Sequence, residues 1–134
     1  MTSLFTQSIY APSSPDSLRI SVMSRHTLPN GIVPDPLITL DSYHLWLQDL
    51  APPDRLVGAW YRRELLQEQF TAAYLAHLRQ DPQKRTLDLL IELVLRTSRK
   101  PTLLCVEPTN QFCHRRPLAE YCRQLEPRLQ VVHL

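Results

Sequence analysis

Apolar residues recur along the chain with two periods, and the shorter one predicts strands. Leu18, Ile20 and Val22 alternate with other residues, a period of two that is typical of a strand. Residues 1–17 carry several serines and two prolines, and we interpret them as a mostly irregular lead-in. Residues 24–40 contain three prolines, which indicates a long loop after the first strand.

Apolar positions spaced three and four residues apart predict helices in the middle of the chain. Asp41 and Ser42 can cap a helix that a double proline ends at residue 52. The apolar face of that helix consists of Tyr43, Trp46, Leu47 and Leu50. Further helical segments are predicted at 54–61 (a short helix or turn), 64–79 and 83–97.

The C-terminal third alternates between the two patterns. A strand is predicted at 102–106, a helix follows residue 116, and Val131-Val132 indicates a terminal strand. A strand, a crossover helix and a second strand form a right-handed parallel unit. We therefore predict an α/β fold, with a single small domain over 18–134. Its three- or four-stranded, mostly parallel sheet is flanked by helices.

Composition and charge narrow the class of protein. The 134 residues are 43% hydrophobic and 21% charged, as expected for one soluble globular domain. A net charge of +2 does not favour nucleic acid as the partner. No apolar run approaches the ~20 residues that span a bilayer, and no signal peptide is evident, so we expect a cytoplasmic protein without membrane association. The chain has two glycines and no glycine-rich phosphate loop, and no cofactor is predicted.

The cysteines, the histidines and the arginines supply the candidate chemistry. Cys113, His114, Arg115 and Arg116 lie together where the last helix begins. Cys113 can be a thiolate nucleophile or redox group with His114 or His26 as proton carrier. Arg115 and Arg116 can hold an anion together with free backbone N–H groups at the helix N-terminus. The alternatives are a packing cysteine, a solvated arginine and one structural ion pair.

A second basic segment can extend the same site. Arg25 and His26 begin the loop after the first strand, and Glu107 follows the strand 102–106. Ligands of parallel sheets bind beyond the carboxyl ends of strands, so both loops can line one crevice there. In that arrangement Arg25 and His26 help to bind the ligand and Glu107 orients Arg115. The alternative is a loop that only caps the sheet.

The three cysteines do not indicate a metal centre or a disulfide framework. Cys105, Cys113 and Cys122 are an odd number, so reduced thiols are the simplest interpretation. Cys105, Cys113 and His114 are suitable donors, but they lack the paired Cys-x-x-Cys spacing and two of them are adjacent. No metal site is predicted. Cys122 falls on the apolar face of the last helix and is predicted to be in the core.

Four stretches of the sequence are similar to a known family. Leu103-Leu104-Cys105-Val106-Glu107 and then Cys113-His114-Arg115-Arg116 resemble the signature of the domain-of-unknown-function 488 family. The basic loop at 24–31 and the Trp-Leu-x-x-Leu-Ala-Pro pattern at 46–52 resemble one branch of it. The resemblance covers roughly residues 18–134. It implies a compact α/β fold and brings no particular activity with it.

Three interpretations of the basic cluster stay open. The first is a small enzyme that acts on an anionic, phosphate-bearing ligand through a Cys-His-Arg cluster at a helix N-terminus. The second is a non-catalytic module that binds a nucleotide, a nucleic acid or an acidic segment of a partner protein. The third is a cluster that only supports the turn from strand to helix. The sequence does not predict the oligomeric state.

Overall fold

The computed structural model describes residues 2–28, 31–107 and 112–134. Over these residues the chain forms a parallel sheet with helices packed against it. The strands are Thr2–Ser8 (β1), Ser17–Ser21 (β2), Leu45–Trp46 (β3), Lys100–Cys105 (β4) and Leu129–His133 (β5). The helices are Asp54–Tyr61 (α1), Gln67–Leu78 (α2), Gln83–Arg96 (α3) and Arg115–Leu125 (α4). This is the predicted α/β class.

The sheet has the strand order β3-β2-β4-β1-β5, and each neighbouring pair is parallel. β4 lies at its centre, where Leu103 is in register with Ile20 of β2. All residues of β4 after Lys100 are buried, as expected for a strand covered on both faces. Because every strand runs in the same direction, the carboxyl ends of all five lie at one edge of the sheet.

β1 corrects the interpretation of residues 1–17 as irregular, and together with β3 it raises the number of strands to five, above the predicted three or four. Leu4 and Thr6 are fully buried, and β1 pairs with β4 on one side and β5 on the other. The segment is short and rich in serine and threonine, so its own pattern does not predict a strand. Its partners, which lie more than 90 residues away along the chain, supply its backbone hydrogen bonds.

The predicted helix at 43–50 is also wrong. The structure has two single 3₁₀ turns, Leu40–Ser42 and Gln48–Leu50, with β3 between them. The backbone N–H of Leu47 donates to the carbonyl of Ser21 at 2.9 Å, so this segment extends the sheet instead of closing helical turns. Of the predicted apolar face, Leu50 is fully buried, Tyr43 and Leu47 are partly buried, and Trp46 is exposed.

The other helices are confirmed, and α2, α3 and α4 bury most of their predicted apolar faces, although Ala73 of α2 and Leu125 of α4 are exposed. The core contains Phe70, Tyr74 and Leu78 from α2, Leu87, Leu90 and Val94 from α3, and Leu118, Ala119 and Cys122 from α4. β4, α4 and β5 form the predicted parallel crossover, with β1 inserted between the two strands. Within the described ranges, no helix has both the length and the apolar character needed to cross a membrane.

Candidate functional site

A cavity of about 680 Å³ lies at the carboxyl edge of the sheet. The chain segments that follow β1, β2 and β4 form one side of it, and helix α1 forms the other. Parallel strands end at the same edge, which is why segments distant in sequence meet here. The loops after β2 and β4 both reach this cavity, as predicted from the sequence. Its aromatic lining includes Tyr10, Trp60, Tyr61, Phe70 and Phe112.

A disulfide lines the inner part of this cavity. Cys105, the last residue of β4, is bonded to Cys113, which lies two residues before α4. The expectation of three reduced thiols is therefore wrong for this pair, while Cys122 is free and buried. The sequence separation of eight gives no sign of the pairing. The end of a central strand and the start of the following helix meet at the sheet edge, and this brings the two sulfurs together.

His114 lies beside both sulfurs and occupies the N-cap position of α4, where its side chain makes no capping hydrogen bond. Its Nε2 is 2.8 Å from the carbonyl oxygen of Val22, so Nε2 carries the proton and donates. Nδ1 is then an acceptor, and it lies 3.5 Å from Sγ of Cys105 and 3.7 Å from Sγ of Cys113. Burial lowers the pKa of His114 below the usual range of an imidazole. The side chain is therefore a neutral base directed at the sulfur pair.

Glu107 lies beside the same cluster. Its hydrogen-bond partner is Tyr61 and not Arg115, the residue that the sequence predicted it to orient. The hydroxyl of Tyr61 donates to its Oε1 at 2.9 Å, and its Oε2 lies 3.3 Å from Sγ of Cys105. Burial, and then the charge of Glu107, raise the pKa of Tyr61 to about 12. The sequence did not indicate Tyr61, because it lies at the end of α1 and 46 residues before its partner.

A second carboxylate in the cavity is also held by a tyrosine. The hydroxyl of Tyr10 donates to Oδ2 of Asp35, and the backbone N–H of Leu37 donates to Oδ1 at 2.9 Å. Burial, and then the hydrogen bond to Asp35, raise the pKa of Tyr10 to about 12. Sequence reasoning missed both residues, since Tyr10 lies in the supposed lead-in and Asp35 in the proline-rich loop. The two carboxylates give the cavity an acidic character.

Arg25 lines the cavity, and its charge is balanced within the protein. Nη2 donates to Oδ2 of Asp54, the first residue of α1, at 2.5 Å, and Nη1 donates to the carbonyl of Gly31 at 3.2 Å. His26 lies elsewhere, since it does not belong to the described residues that line the cavity. Its Nε2 is 2.7 Å from Oγ of Ser21, and its ring stacks on Trp46 with centroids 4.0 Å apart.

The two arginines of the Cys-His-Arg cluster also lie outside the described lining of the cavity. Arg115 is fully buried at the start of α4, and its three guanidinium nitrogens have no hydrogen-bond partner within the described parts of the chain. Burial lowers the pKa of Arg115, while the charge of Glu107 opposes this effect without a hydrogen bond. Arg116 is partly buried, and its backbone N–H donates to the carbonyl of Cys113 at 3.1 Å.

The site combines three kinds of reactive group. A pair of sulfurs, a neutral imidazole and a carboxylate meet at one end of an aromatic cavity. The ligand atoms of Cys105, Cys113 and His114 all lie within 4.8 Å of one another, so these three described residues are also a set that can hold a metal ion. Of the predicted residues, Cys113, His114, Glu107 and Arg25 line the cavity, whereas His26, Arg115 and Arg116 do not.

The histidines predict that acid destabilises the fold. Burial lowers the pKa of all five, namely His26, His44, His77, His114 and His133. In the unfolded chain an imidazole titrates near its usual pKa of about 6.5. Unfolding therefore takes up protons between that value and the lower folded pKa values, and stability is lost as the pH falls through this window.

We expect the denaturant midpoint to fall steadily as the pH is lowered from about 7.5 to about 5.5. Urea denaturation at several pH values, followed by circular dichroism, measures this change. A midpoint that stays constant or rises below pH 6.5 would contradict the direction of these pKa shifts.

A family model matches most of the chain. The family model DUF488-N3a, described as the active DUF488-N3 subclade, matches residues 4–125. This range includes the sulfur pair, His114, and the residues of the cavity wall. No curated protein and no solved structure matches the chain.

Proposed function

The chain belongs to the DUF488 family, and from this premise we propose that it is an enzyme that exchanges electrons between its Cys105–Cys113 pair and small thiols or disulfides. The observation that carries the proposal is the position of the disulfide, which lines a cavity of about 680 Å³ beside a neutral imidazole. A structural disulfide needs neither a cavity nor a base. The description of the matching subclade as active agrees with an enzyme.

The surroundings of the two sulfurs support different roles for them. Cys113 precedes the N-terminus of α4, where the helix dipole stabilises a thiolate. Sγ of Cys105 lies 3.3 Å from the Glu107 carboxylate. The negative charge of this carboxylate disfavours the thiolate form of Cys105. Cys113 is therefore the attacking sulfur and Cys105 the resolving sulfur. The sequence also suggested Cys113 as the nucleophile or redox group, and the proposal adds Cys105 as the sulfur that reacts with it.

The reaction with a small disulfide RSSR proceeds in two exchanges. The Cys113 thiolate attacks one substrate sulfur, a mixed disulfide forms, and the first RS⁻ leaves. Cys105 then loses its proton and attacks Sγ of Cys113, so that the second RS⁻ leaves and the protein disulfide closes. Two electrons pass from the protein pair to the substrate, and the two thiol protons pass to the two released RSH molecules.

His114 moves protons during these exchanges. Nδ1 lies within 3.7 Å of both sulfurs, and its lone pair is free because Nε2 donates to Val22. It can accept a proton from the attacking thiol and return it to the leaving thiolate. A lowered pKa keeps the imidazole in the neutral form that this role requires.

The charges around the cavity favour a neutral or cationic substrate. Arg25 is paired with Asp54, and Arg62 is paired with Glu64. Asp35 and Glu107 accept hydrogen bonds from the hydroxyls of Tyr10 and Tyr61, and neither forms an ion pair within the described parts of the chain. A substrate with an ammonium group and an apolar body fits this acidic, aromatic cavity. The anionic ligand predicted from the sequence is the competing candidate, and the observation that favours it is the guanidinium of Arg115, which has no hydrogen-bond partner among the described residues.

The test compares two small disulfides that differ in charge. Reduced protein is mixed with cystamine, which is cationic, or with dithiodipropionate, which is anionic, in the presence of a metal chelator. We expect cystamine to oxidise the protein about tenfold faster at low salt, and we expect salt to narrow the difference. Faster oxidation by dithiodipropionate would support the anionic ligand instead.

Single-cysteine variants test the assigned roles with the same assay. Reduced wild-type protein should release two RSH molecules per chain, whereas Cys105→Ser should release one and retain a mixed disulfide on Cys113. Cys113→Ser should react no faster than an unfolded cysteine peptide, and Cys122→Ser should behave as the wild type. Oxidation of the folded wild type at the rate of such a peptide would overturn the proposed enzyme and leave a non-catalytic binding module.

A further inference from the structure

The three donors at the end of β4 and the start of α4 also form a second kind of site. We infer that the reduced protein binds one Zn²⁺ ion through Cys105, Cys113 and His114, with the fourth coordination position open to the cavity. This inference goes beyond the proposed redox activity, because it concerns a metal site and an equilibrium that needs no thiol substrate. It also departs from the sequence interpretation, in which no metal site was expected.

The distances between donor atoms carry the first part of the argument. In a tetrahedral zinc site with Zn–S near 2.3 Å and Zn–N near 2.0 Å, a sulfur and a nitrogen ligand lie about 3.5 Å apart. Nδ1 of His114 lies 3.5 Å and 3.7 Å from the two sulfurs. Only the two sulfurs must separate, to about 3.8 Å, when the disulfide is reduced and both bind the ion. The adjacency of Cys113 and His114 is therefore no obstacle to chelation.

The orientation of the imidazole carries the second part. Metal-binding histidines commonly donate their other ring N–H to a carbonyl or carboxylate, which fixes the tautomer and the ring plane. His114 donates from Nε2 to the carbonyl of Val22 at 2.8 Å. Its ring also packs edge-on against Tyr74, with centroids 5.7 Å apart. Both contacts direct the lone pair of Nδ1 at the sulfurs before any ion binds.

The position in the fold determines what the ion can do. All three ligands line the cavity, so the fourth ligand is a water molecule or a group of a bound molecule. Glu107, whose Oε2 lies 3.3 Å from Sγ of Cys105, stands beside that position. Three protein ligands and one open position are typical of catalytic rather than structural zinc. A sulfur that is bonded in the disulfide is not a thiolate ligand, so the oxidised protein lacks the site.

The test uses Co²⁺ as an optical probe and Zn²⁺ as a competitor, with the whole chain. We expect wild-type protein, reduced with a phosphine, to bind about one Co²⁺ per chain. The spectrum should show a thiolate-to-cobalt charge-transfer band and the intense visible bands of a tetrahedral site, and Zn²⁺ should abolish both. Cys122→Ser is the matched control, because it removes a buried cysteine outside the cluster and should bind as the wild type.

Three samples should lose or weaken the cobalt signal, each for a different reason. Protein oxidised with diamide keeps the native sequence and should show no charge-transfer band. Cys113→Ala should lose the band or halve its intensity, and His114→Gln should weaken binding by about tenfold or more. The inference is overturned if oxidised and reduced wild type bind equally, or if the band disappears in Cys122→Ser. Disulfide exchange is measured in chelator, so a failure of either proposal is seen separately from a failure of the other.

Discussion

Reduction of the Cys105–Cys113 disulfide should lower the free energy of unfolding by about 2–3 kcal/mol in the presence of a metal chelator. The bond closes a loop with a sequence separation of eight. Closing a loop of this size removes conformational entropy from the unfolded chain, and the chain-entropy relation gives that range. For a domain of 134 residues we expect the melting temperature to fall by roughly 6–15 °C.

Urea denaturation of the oxidised and the reduced protein measures this difference, and the slope of each transition shows whether both states unfold from an equally compact fold. Cys122→Ser should show the same difference between its two states. A Cys105→Ala, Cys113→Ala double variant should have the stability of the reduced wild type under both conditions. Equal stabilities of oxidised and reduced wild type would mean that the bond constrains nothing in the unfolded chain.

The periodic parts of the fold were predictable because burial on one face determines them. The apolar residues of α2, α3 and α4 recur at helical spacing, and the same residues form the core. β1 was not predictable, since its backbone partners lie in β4 and β5 at the other end of the chain. The helix predicted from Tyr43 to Leu50 was wrong for a related reason. Its helical spacing is real, but its backbone pairs with β2.

The candidate site was predictable only where its residues are neighbours in sequence. Cys113, His114 and Glu107 were recognised from one short motif, and each lines the cavity. Tyr10, Asp35 and Tyr61 come from three other segments, and no local pattern connects them with the motif. Their contribution depends on the order of the strands, because the strand order decides which loops meet at the carboxyl edge.

The direction of the arginine side chains shows the limit of motif reasoning most clearly. Successive residues of a helix point about 100° apart, so the members of a contiguous motif face different ways. His114 faces the cavity, whereas Arg115, which begins α4, is turned into the interior. The motif therefore indicated a single Cys-His-Arg cluster, while the fold divides it into a cavity side and a buried side.

Replacement of Arg115 by methionine should raise the free energy of unfolding of the isolated protein by about 1–3 kcal/mol. A buried charge without a hydrogen-bond partner carries a cost of desolvation, which the charge of Glu107 offsets only in part for Arg115. Arg115 is fully buried, and its guanidinium nitrogens lack partners within the described parts of the chain. Methionine retains most of the aliphatic volume and adapts to the remaining space. Urea denaturation of Arg115→Met and wild type, both oxidised, measures the effect.

Arg123, a second arginine of the same helix, provides the control for this prediction. Arg123 is exposed and paired with Glu120, so Arg123→Met should change stability by no more than about 0.5 kcal/mol.

If Arg115→Met instead destabilises the protein, the guanidinium has a favourable partner, and an anion is the first candidate. Sulfate then distinguishes the two cases. A gain of stability in sulfate that wild type and Arg123→Met share, and that Arg115→Met lacks, would assign an anion to Arg115. An equal gain in all three proteins is the general effect of an excluded salt, and it would leave the buried guanidinium as a cost to the fold.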